Sequence, residues 1–377
     1  MMGRFTRPPT RPSVISPLHR LKIELFTEGL VVAPGAHERL AGADGQRPLT
    51  LADYASTSGI TLRLPDDVWV NAPIAQHNPN FVHAPRHTLD LAGDGFVVRG
   101  HLGEFPTVPI PVPDYHDEVN AEGEAYTSYA YTHSDRVRIS PVEGCAIACK
   151  FCDLPYEYRY RTKRTAGLVD AVDRALKDAA LPARHVLISG GLPRTADYGW
   201  LQEVWSAVAA AFPAIDVDVM MVPAPGLMDP RALKAAGIAG LSINMEMWNT
   251  ELAARAMPGK AKIGRDQWLR LVEQSVEEFG PGRIRSLLML GIEPLDDTLS
   301  AVEALAERGC DPVLSPFRPD PSTPMRDHPP PTAELMVDAW CRASEIVAKH
   351  GVQLGPRCIP CMHNTLTFPT PSALGVV

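Results

Sequence analysis

Residues 137–153 read VRISPVEGCAIACKFCD, and the fold can be inferred outward from this stretch. It opens with an apolar run of strand length, residues 137–139, and leads directly into Cys145, Cys149 and Cys152. This C-x3-C-x2-C spacing brings three thiolates to one metal centre if the loop bends around it, and the glycine and alanines of the stretch permit that bend. A metal-binding loop directly after a strand indicates a site at the carboxyl end of a sheet.

Three states are open to such a triplet. A tetrahedral zinc site needs a fourth ligand close by. A [4Fe–4S] cluster bound by three cysteines keeps one iron free for an external ligand. The alternative without metal is a trio of reduced, buried cysteines that pack as small hydrophobic side chains. The spacing and the position after a strand together favour a metal centre.

The sequence after residue 135 alternates between strand-like and helix-like runs. The apolar runs of strand length are residues 137–139, 185–189, 215–221, 241–245, 284–290 and 312–317. The runs with helical periodicity are residues 168–181, 200–212, 230–236, 266–279, 297–308 and 332–350. This alternation predicts an α/β fold whose parallel sheet is either open or curved into a barrel or partial barrel. In both forms the active site is expected at the carboxyl ends of the strands.

With Phe151 before its last cysteine, the triplet resembles the C-x3-C-x-aromatic-C motif of the radical S-adenosylmethionine (radical SAM) enzymes. The resemblance covers residues 135–317. It implies a partial (β/α)6 TIM-like barrel, with an irregular, β-containing extension before it and a cysteine-bearing tail after it. It also implies that Cys145, Cys149 and Cys152 bind a catalytic [4Fe–4S] cluster whose open iron binds SAM. In this family, one electron from the cluster cleaves SAM to methionine and a 5′-deoxyadenosyl radical.

Further positions match those at which the family contacts SAM. Residues 189–193 read SGGLP where the family usually has Gly-Gly-Glu. Leu192 replaces the acid, so only the backbone contact with the methionine amino group carries over, to Gly190 and Gly191. Glycine is needed for such a contact because a Cβ atom would block the approach of main chain to ligand. An ordinary Gly-Gly turn is the alternative.

Two more strand ends carry candidate cofactor-binding residues. Asn244 and Glu246 end the fourth strand, and alternation places them on one face with Ser242. In the family, polar side chains at this position bind the ribose hydroxyls and the methionine end of SAM, so the resemblance implies this role for Asn244 and Glu246. The alternative is that both residues lie at a solvated strand end without binding a ligand. Gly291 and Ile292 follow the fifth strand and resemble the family's adenine contact. The candidates for the SAM carboxylate, each with ordinary surface charge as the alternative, are Arg255, Lys260 and Arg265.

A second cysteine group lies near the carboxyl terminus, where Cys358 and Cys361 form a proline-flanked C-x2-C pair. A redox dithiol of this spacing usually opens a helix, so a proline-rich tail favours metal binding. We interpret the pair as ligands of an auxiliary iron–sulfur cluster, with Cys341 as the third ligand and His363 as a candidate non-cysteine ligand. Half of a zinc site and a purely structural pair are the alternatives. Cys310 is predicted to pack in the core.

Composition narrows the class of protein. The chain has 377 residues, of which 45% are hydrophobic and 21% charged, so general disorder is excluded. Its formal net charge of −8 argues against nucleic-acid binding. Its apolar runs are far shorter than the ~20 residues of a membrane helix, so no membrane partner is expected. An odd number of cysteines without a secretory signal predicts a reducing, cytoplasmic location.

The expected division is an N-terminal extension at residues 1–134, a core barrel at residues 135–331, and a C-terminal helix with an auxiliary cluster tail at residues 332–377. The first 23 residues, basic and rich in proline, are expected to form a mobile arm. The proline runs at residues 106–113 and 319–331 are expected to be rigid extended connectors.

The implied function is a radical SAM enzyme that abstracts hydrogen from a small-molecule substrate. A reductase such as flavodoxin or ferredoxin is the expected electron donor. A cluster with incomplete cysteine ligation is easier to dismantle, so we expect the auxiliary cluster to donate sulfur to the substrate radical. An auxiliary cluster that conducts electrons for dehydrogenation or rearrangement is one alternative. A non-catalytic metal-binding scaffold protein is the alternative from another class.

Overall fold

A computed structural model describes residues 15–42 and 59–369. The helices are α1 (Pro17–Glu28), α2 (Pro34–Gly42), α3 (Leu154–Glu157), α4 (Thr165–Leu176), α5 (Tyr198–Ala211), α6 (Pro230–Ala235), α7 (Thr250–Ala256), α8 (Pro258–Ala261), α9 (Arg265–Phe279), α10 (Leu295–Ala306) and α11 (Ala333–His350). The strands are β1 (Val31–Val32), β2 (Gly59–Leu64), β3 (Val68–Pro73), β4 (His87–Ala92), β5 (Gly95–Gly100), β6 (Gly103–Pro109), β7 (Ala130–His133), β8 (Arg136–Ile139), β9 (Val142–Glu143), β10 (Arg161–Thr162), β11 (His185–Ile188), β12 (Val217–Met220), β13 (Gly240–Ser242), β14 (Ile284–Leu290) and β15 (Asp311–Pro316).

The larger sheet is the curved wall of a partial barrel. Its order is β15-β14-β13-β12-β11-β8-β7, and every neighbouring pair from β8 to β15 is parallel. β7 joins β8 in antiparallel register and extends the sheet at that edge. The six predicted strands and the six predicted helices are all present, so the α/β partial barrel is confirmed.

The crossover helices follow from apolar spacing. In α4 the side chains of Leu168 and Val172, one helical turn apart, are buried against the sheet, and in α9 Trp268, Leu271 and Val272 form the buried face. Because all crossovers return to the same end, the loops that follow β8, β11, β13 and β14 lie side by side at the carboxyl edge. This edge is where the first cysteine triplet lies.

The N-terminal part is more regular than the sequence indicated. It forms a second sheet of six strands in the order β1-β4-β5-β6-β2-β3, with α1 packed on β3. The predicted mobile arm is wrong for residues 17–23, because these residues belong to α1, whose first turn contains Pro17 and whose N-cap is Ser16. A proline at this position loses no hydrogen bond. Residues 1–14 of the predicted arm lie outside the described residues.

The two proline runs differ from each other in structure. Pro106 and Pro109 belong to β6, so the connector predicted for residues 106–113 is wrong over its first part. β6 pairs with β2 only through Val108 and Pro109, so Pro106 has a strand on one side only and is tolerated there. Residues 319–331, all of them described, contain neither helix nor strand.

The chain after α11 folds back along β15. Gly355 N–H donates to Pro312 C=O at 2.8 Å, and Leu366 N–H donates to Leu314 C=O at 2.8 Å. Buried residues of the N-terminal sheet, the barrel and this tail form one continuous hydrophobic core. Among the residues described, no helix has the length and apolar character needed to span a membrane.

Candidate functional site

The cysteine triplet lies in the loop after β8 and is tied to the loop after β11. Leu192 N–H donates to Cys145 Sγ at 3.2 Å, and Ala146 N–H donates to Leu192 C=O at 2.9 Å. The backbone of Leu192 therefore holds Cys145 in place. The side chain at this position, where the family pattern has an acid, takes no part in these two hydrogen bonds.

Two glycines let these loops meet. A Cβ atom at Gly191 would overlap the carbonyl oxygen of Gly144 and lie 2.9 Å from Cys145 Cα. Gly190 has a φ of +127°, a conformation that favours glycine. The SGGLP segment therefore needs its glycines to bring main chain against the cysteine loop.

The sulfurs of Cys149 and Cys152 are enclosed by apolar side chains. Cys149, Met247 and Met257 belong to one buried cluster, and Phe151 and Cys152 pack against it. Burial raises the pKa of both thiols to about 12. A bound metal ion would supply the positive charge that these thiols need to ionise at neutral pH.

The triplet fits a multi-iron cluster better than it fits a single ion. Each cysteine of a [4Fe–4S] cluster binds a different iron, so its sulfurs stay apart while facing one centre. In the part of the chain that the structure describes, Cys145, Cys149 and Cys152 are not among the groups whose ligand atoms all lie within 4.8 Å of one another. Cys145, Cys149 and Cys152 would therefore hold the cluster that the family implies.

The fourth barrel strand ends earlier than predicted, and this changes the geometry of Asn244 and Glu246. β13 stops at Ser242, whose hydroxyl donates to Asn244 Oδ1 at 2.8 Å. The same Oδ1 accepts from Leu287 N–H at 3.2 Å, so the side chain substitutes for a backbone carbonyl beside β14. Both lone pairs of that oxygen are used, which leaves only the amide NH2 group of Asn244 for a ligand.

Glu246 carries an unsatisfied oxygen beside the cysteine triplet. Its φ of +67° follows the break in β13, and its backbone rejoins β14 at Leu288. Lys260 Nζ donates to Glu246 Oε1 at 2.6 Å, whereas the buried Oε2 accepts no hydrogen bond from the described residues. A buried, orphaned carboxylate oxygen indicates a missing donor.

Lys260 is the basic candidate that reaches this centre. Burial opposes its charge, but the Glu246 carboxylate and the neighbouring Cys149 and Cys152 raise the pKa of Lys260 above its usual value. The other two candidates are engaged elsewhere. Arg265 stacks on the Trp248 ring at 4.2 Å, and Arg255 forms an exposed ion pair with its helix neighbour Glu251.

The proline-rich segment at residues 319–331 covers the candidate adenine contact. His328 Nε2 lies 2.9 Å from Gly291 C=O, and a Cβ atom at Gly291 would lie 2.9 Å from Pro331 Cδ. Met325 packs on the buried cluster that contains Cys149, as does Ile292. The segment therefore closes over the site, which the connector interpretation did not anticipate.

The second cysteine pair lies at the opposite end of the barrel. Cys358 and Cys361 approach Asp135, which precedes β8, and His185, which begins β11. These four residues have ligand atoms that all lie within 4.8 Å of one another. Cys341, the third ligand predicted from the sequence, is not a member of that group, which contains Asp135 and His185 beside the two cysteines.

The remaining candidates of the tail have other contacts. His363 Nδ1 lies 3.0 Å from Ser134 Oγ and 2.9 Å from Pro360 C=O, outside the group around Cys358. Cys310 is fully buried in the hydrophobic core, as predicted. A cavity of about 400 Å³ adjoins the second site and is lined by Cys358, Cys361 and His185 among others.

Sequence reasoning missed two features of the candidate sites. Asp135 and His185 lie at the amino ends of two predicted strands. This shared position was the sequence signal from which their proximity could have been predicted. The contact of α7 with the cysteine loop, in which Lys150 N–H donates to Ala256 C=O at 2.7 Å, was also missed. Asn249, which caps α7 by accepting from Glu251 N–H and Leu252 N–H, marks that helix in the sequence.

Comparisons with known proteins found similarities over part of the chain. Residues 139–305 match the family model described as Radical SAM superfamily. Bacteriochlorophyllide c C-7(1)-hydroxylase of Chlorobaculum limnaeum is 28% identical over 138 residues, which are 36% of this chain and 34% of that protein. The 7,8-didemethyl-8-hydroxy-5-deazariboflavin synthase of Methanococcoides burtonii is 27% identical over 156 residues, 39% of this chain and 46% of that protein.

The chain therefore spans less than half the length of these two curated relatives. Among solved structures, the FeFe-hydrogenase maturase HydG from Carboxydothermus hydrogenoformans is similar with a TM-score of 0.45 and 15% identity. The similarity covers 59% of this chain and 55% of that one.

Proposed function

We propose that this chain, whose residues 139–305 match the Radical SAM superfamily model, abstracts a hydrogen atom from a small-molecule substrate at the carboxyl end of the barrel. When bound, the [4Fe–4S] cluster and SAM supply the electron and the 5′-deoxyadenosyl radical that such a reaction needs. A flavodoxin or ferredoxin is the proposed source of the electron.

The observation that carries the proposal is the position of Cys145, Cys149 and Cys152. They follow β8 at the carboxyl edge, and the backbone of Leu192 on the neighbouring loop holds Cys145. The same edge carries Glu246 with its orphaned carboxylate oxygen. In a scaffold protein without turnover, an unsatisfied carboxylate oxygen beside three thiols would be costly and would serve no function.

We assign Glu246 the task that the missing acid after Gly191 performs in the family pattern. Its free Oε2 would accept a hydrogen bond from the SAM amino group, while Lys260 neutralises Oε1 and fixes the rotamer. We retain the proposal that the backbone of Gly190 and Gly191 contacts the methionine amino group of SAM. We also retain the proposed contact of Gly291 and Ile292 with the adenine of SAM. Residues 319–331 cover these two residues.

A small cavity beside Phe151 is the proposed substrate site. It measures about 160 Å³ and is lined by Phe151, Met289, Phe317 and Arg318 among others. Arg318 donates to Asn71 Oδ1 at 2.9 Å and to Asn71 C=O at 2.7 Å, so β3 of the N-terminal sheet holds this wall. The size of the cavity favours a small molecule over a peptide.

The place of the second cysteine pair weighs against sulfur insertion. A sulfide donor must lie within bonding reach of the substrate carbon from which hydrogen was removed. Cys358 and Cys361 instead approach Asp135, at the amino end of β8, and the four residues of β8 separate the two ends by ~13 Å. We therefore propose hydrogen abstraction without sulfur from this pair.

Anaerobic assay of deoxyadenosine formation with dithionite tests the proposal. Replacement of Cys145, Cys149 and Cys152 by alanine should abolish both bound iron and deoxyadenosine, because no cluster can form. Cys341→Ser is the matched control, and it should retain both. Deoxyadenosine formation at the wild-type rate in the triple variant would refute the assignment.

A further inference from the structure

A second group of metal-ligand side chains lies where the tail meets the amino ends of two barrel strands. Asp135 precedes β8 and His185 begins β11, while Cys358 and Cys361 come from the tail. From this arrangement we infer that Asp135, His185, Cys358 and Cys361 form a tetrahedral site for one zinc ion, separate from the cluster at the carboxyl edge.

The distances between the ligand atoms of these side chains match the ligand-to-ligand edges of a tetrahedral zinc site. Bonds of about 2.3 Å to sulfur and about 2.0–2.1 Å to nitrogen or oxygen require edges of about 3.6 Å from sulfur to nitrogen or oxygen, and about 3.3 Å from nitrogen to oxygen. His185 Nε2 lies 3.5 Å from Cys358 Sγ and 3.3 Å from Cys361 Sγ. Asp135 Oδ1 lies 3.4 Å and 3.8 Å from the same sulfurs. The edge from His185 Nε2 to Asp135 Oδ1 is 3.4 Å.

The chemistry of the four ligands selects zinc. Two thiolates, one imidazole and one carboxylate form a closed set of four protein ligands, as structural zinc sites have. Thiolate and imidazole ligands disfavour magnesium and calcium, and zinc binds such sites more tightly than iron(II). An iron–sulfur cluster would hold its ligands on separate irons, whereas these four converge on one point.

The site joins parts of the chain that are far apart in sequence. An ion there would connect the tail to β8 and β11 and so close the amino end of the partial barrel. The tail is also held from its other side, because Lys22 Nζ donates to Met362 C=O at 2.9 Å and to Thr367 C=O at 2.6 Å. The adjoining cavity of about 400 Å³ gives the ion a path to the site.

Metal analysis of anaerobically purified protein tests the inference. Protein loaded with iron, sulfide and zinc should contain about four irons and one zinc per chain. Cys358→Ser and His185→Ala should each lose the zinc and keep the iron, whereas Cys145→Ala should lose the iron and keep the zinc. Cys341→Ser should keep both metals. Because zinc content does not depend on SAM cleavage, this inference and the proposed function can fail separately.

Any one of three results would overturn the zinc site. The first is about eight irons and no zinc in the wild type, with half the iron lost in Cys358→Ser, which would mean an auxiliary cluster. The second is a zinc content that is zero in the wild type or unchanged in both variants. If the variants do not fold, cobalt(II) in the wild-type protein provides the readout. It should show thiolate-to-cobalt charge transfer and intense tetrahedral bands, and their absence would contradict the inference.

Discussion

At the scale of single residues, Glu246 is the side chain whose role depends most on its surroundings. Its Oε1 is paired with Lys260, and its buried Oε2 has no donor within the described residues. Leu192 cannot supply the acid that the family pattern has nearby, so we propose that the Glu246 carboxylate takes its place from the segment after β13. The unusual φ of +67° at Glu246 is what turns it there.

We predict that Glu246→Gln weakens SAM binding by about tenfold or more, because a hydrogen bond to a charged group contributes about 1.5–3 kcal/mol. Isothermal titration of the cluster-loaded protein with SAM measures the effect. Glu251→Gln, which alters an exposed ion pair, should leave SAM affinity unchanged. Equal affinity in a folded Glu246→Gln variant would remove Glu246 from the SAM site.

Gly191→Ala should lower the iron content, since its Cβ atom would overlap the Gly144 carbonyl and displace the cysteine loop. Gly199→Ala is the matched control, because a Cβ atom there meets nothing within 4 Å. Iron per chain after identical reconstitution is the measurement. Wild-type iron content in Gly191→Ala would show that the loop accommodates the methyl group.

At the scale of elements, α1 and the tail depend on a buried lysine. Lys22 is fully buried, and burial holds the pKa of its amine well below the usual value. Its amine is nonetheless the donor for two tail carbonyls, Met362 C=O and Thr367 C=O. A fully buried polar group of this kind stabilises a fold only through such partners.

Lys22→Met should lower the free energy of unfolding by about 2 kcal/mol, because Thr367 C=O loses the Lys22 donor and Met362 C=O keeps only its hydrogen bonds from Thr365. Urea unfolding measures this, with Lys177→Met on the exposed face beyond α4 as the control. Iron content should stay at the wild-type level, since the hydrogen bonds of the Lys22 amine go to the tail. An unchanged urea midpoint in Lys22→Met would mean that water replaces the Lys22 amine as the hydrogen-bond donor to the tail.

At the scale of the whole molecule, the N-terminal sheet, the barrel and the tail share one continuous hydrophobic core. Arg318, at the end of the last barrel strand, also donates to Asn71 on β3. The predicted division at residues 134 and 331 therefore separates segments of the sequence whose buried side chains contact one another.

The described parts of the chain should unfold as one cooperative unit, because a shared core gives neither part a stable surface alone. Tryptophan fluorescence and circular dichroism should report the same urea midpoint. The barrel segment expressed from residue 135 onward should be insoluble or unfolded. Two separated transitions, or a soluble and folded barrel segment, would instead support the division into independent domains.

The sequence alone determined the barrel and its first cysteine site. Hydrophobic periodicity places the six predicted strands and the six predicted helices because a buried face is a local property of the chain, read at spacings of two or of three to four residues. The triplet at Cys145, Cys149 and Cys152 is equally local, since three ligands within eight residues need only one loop. The same holds for Gly190 and Gly191.

Only the tertiary structure decided what surrounds these motifs. Cys358 and Cys361 meet Asp135 and His185 because the tail folds back under the barrel, and no spacing along the chain records that contact. The break after β13 contains a side-chain hydrogen bond from Ser242 to Asn244, and Glu246 after it has a φ of +67°. Long-range contacts of this kind are set by the packing of whole elements, so a single sequence carries no periodic signal for them.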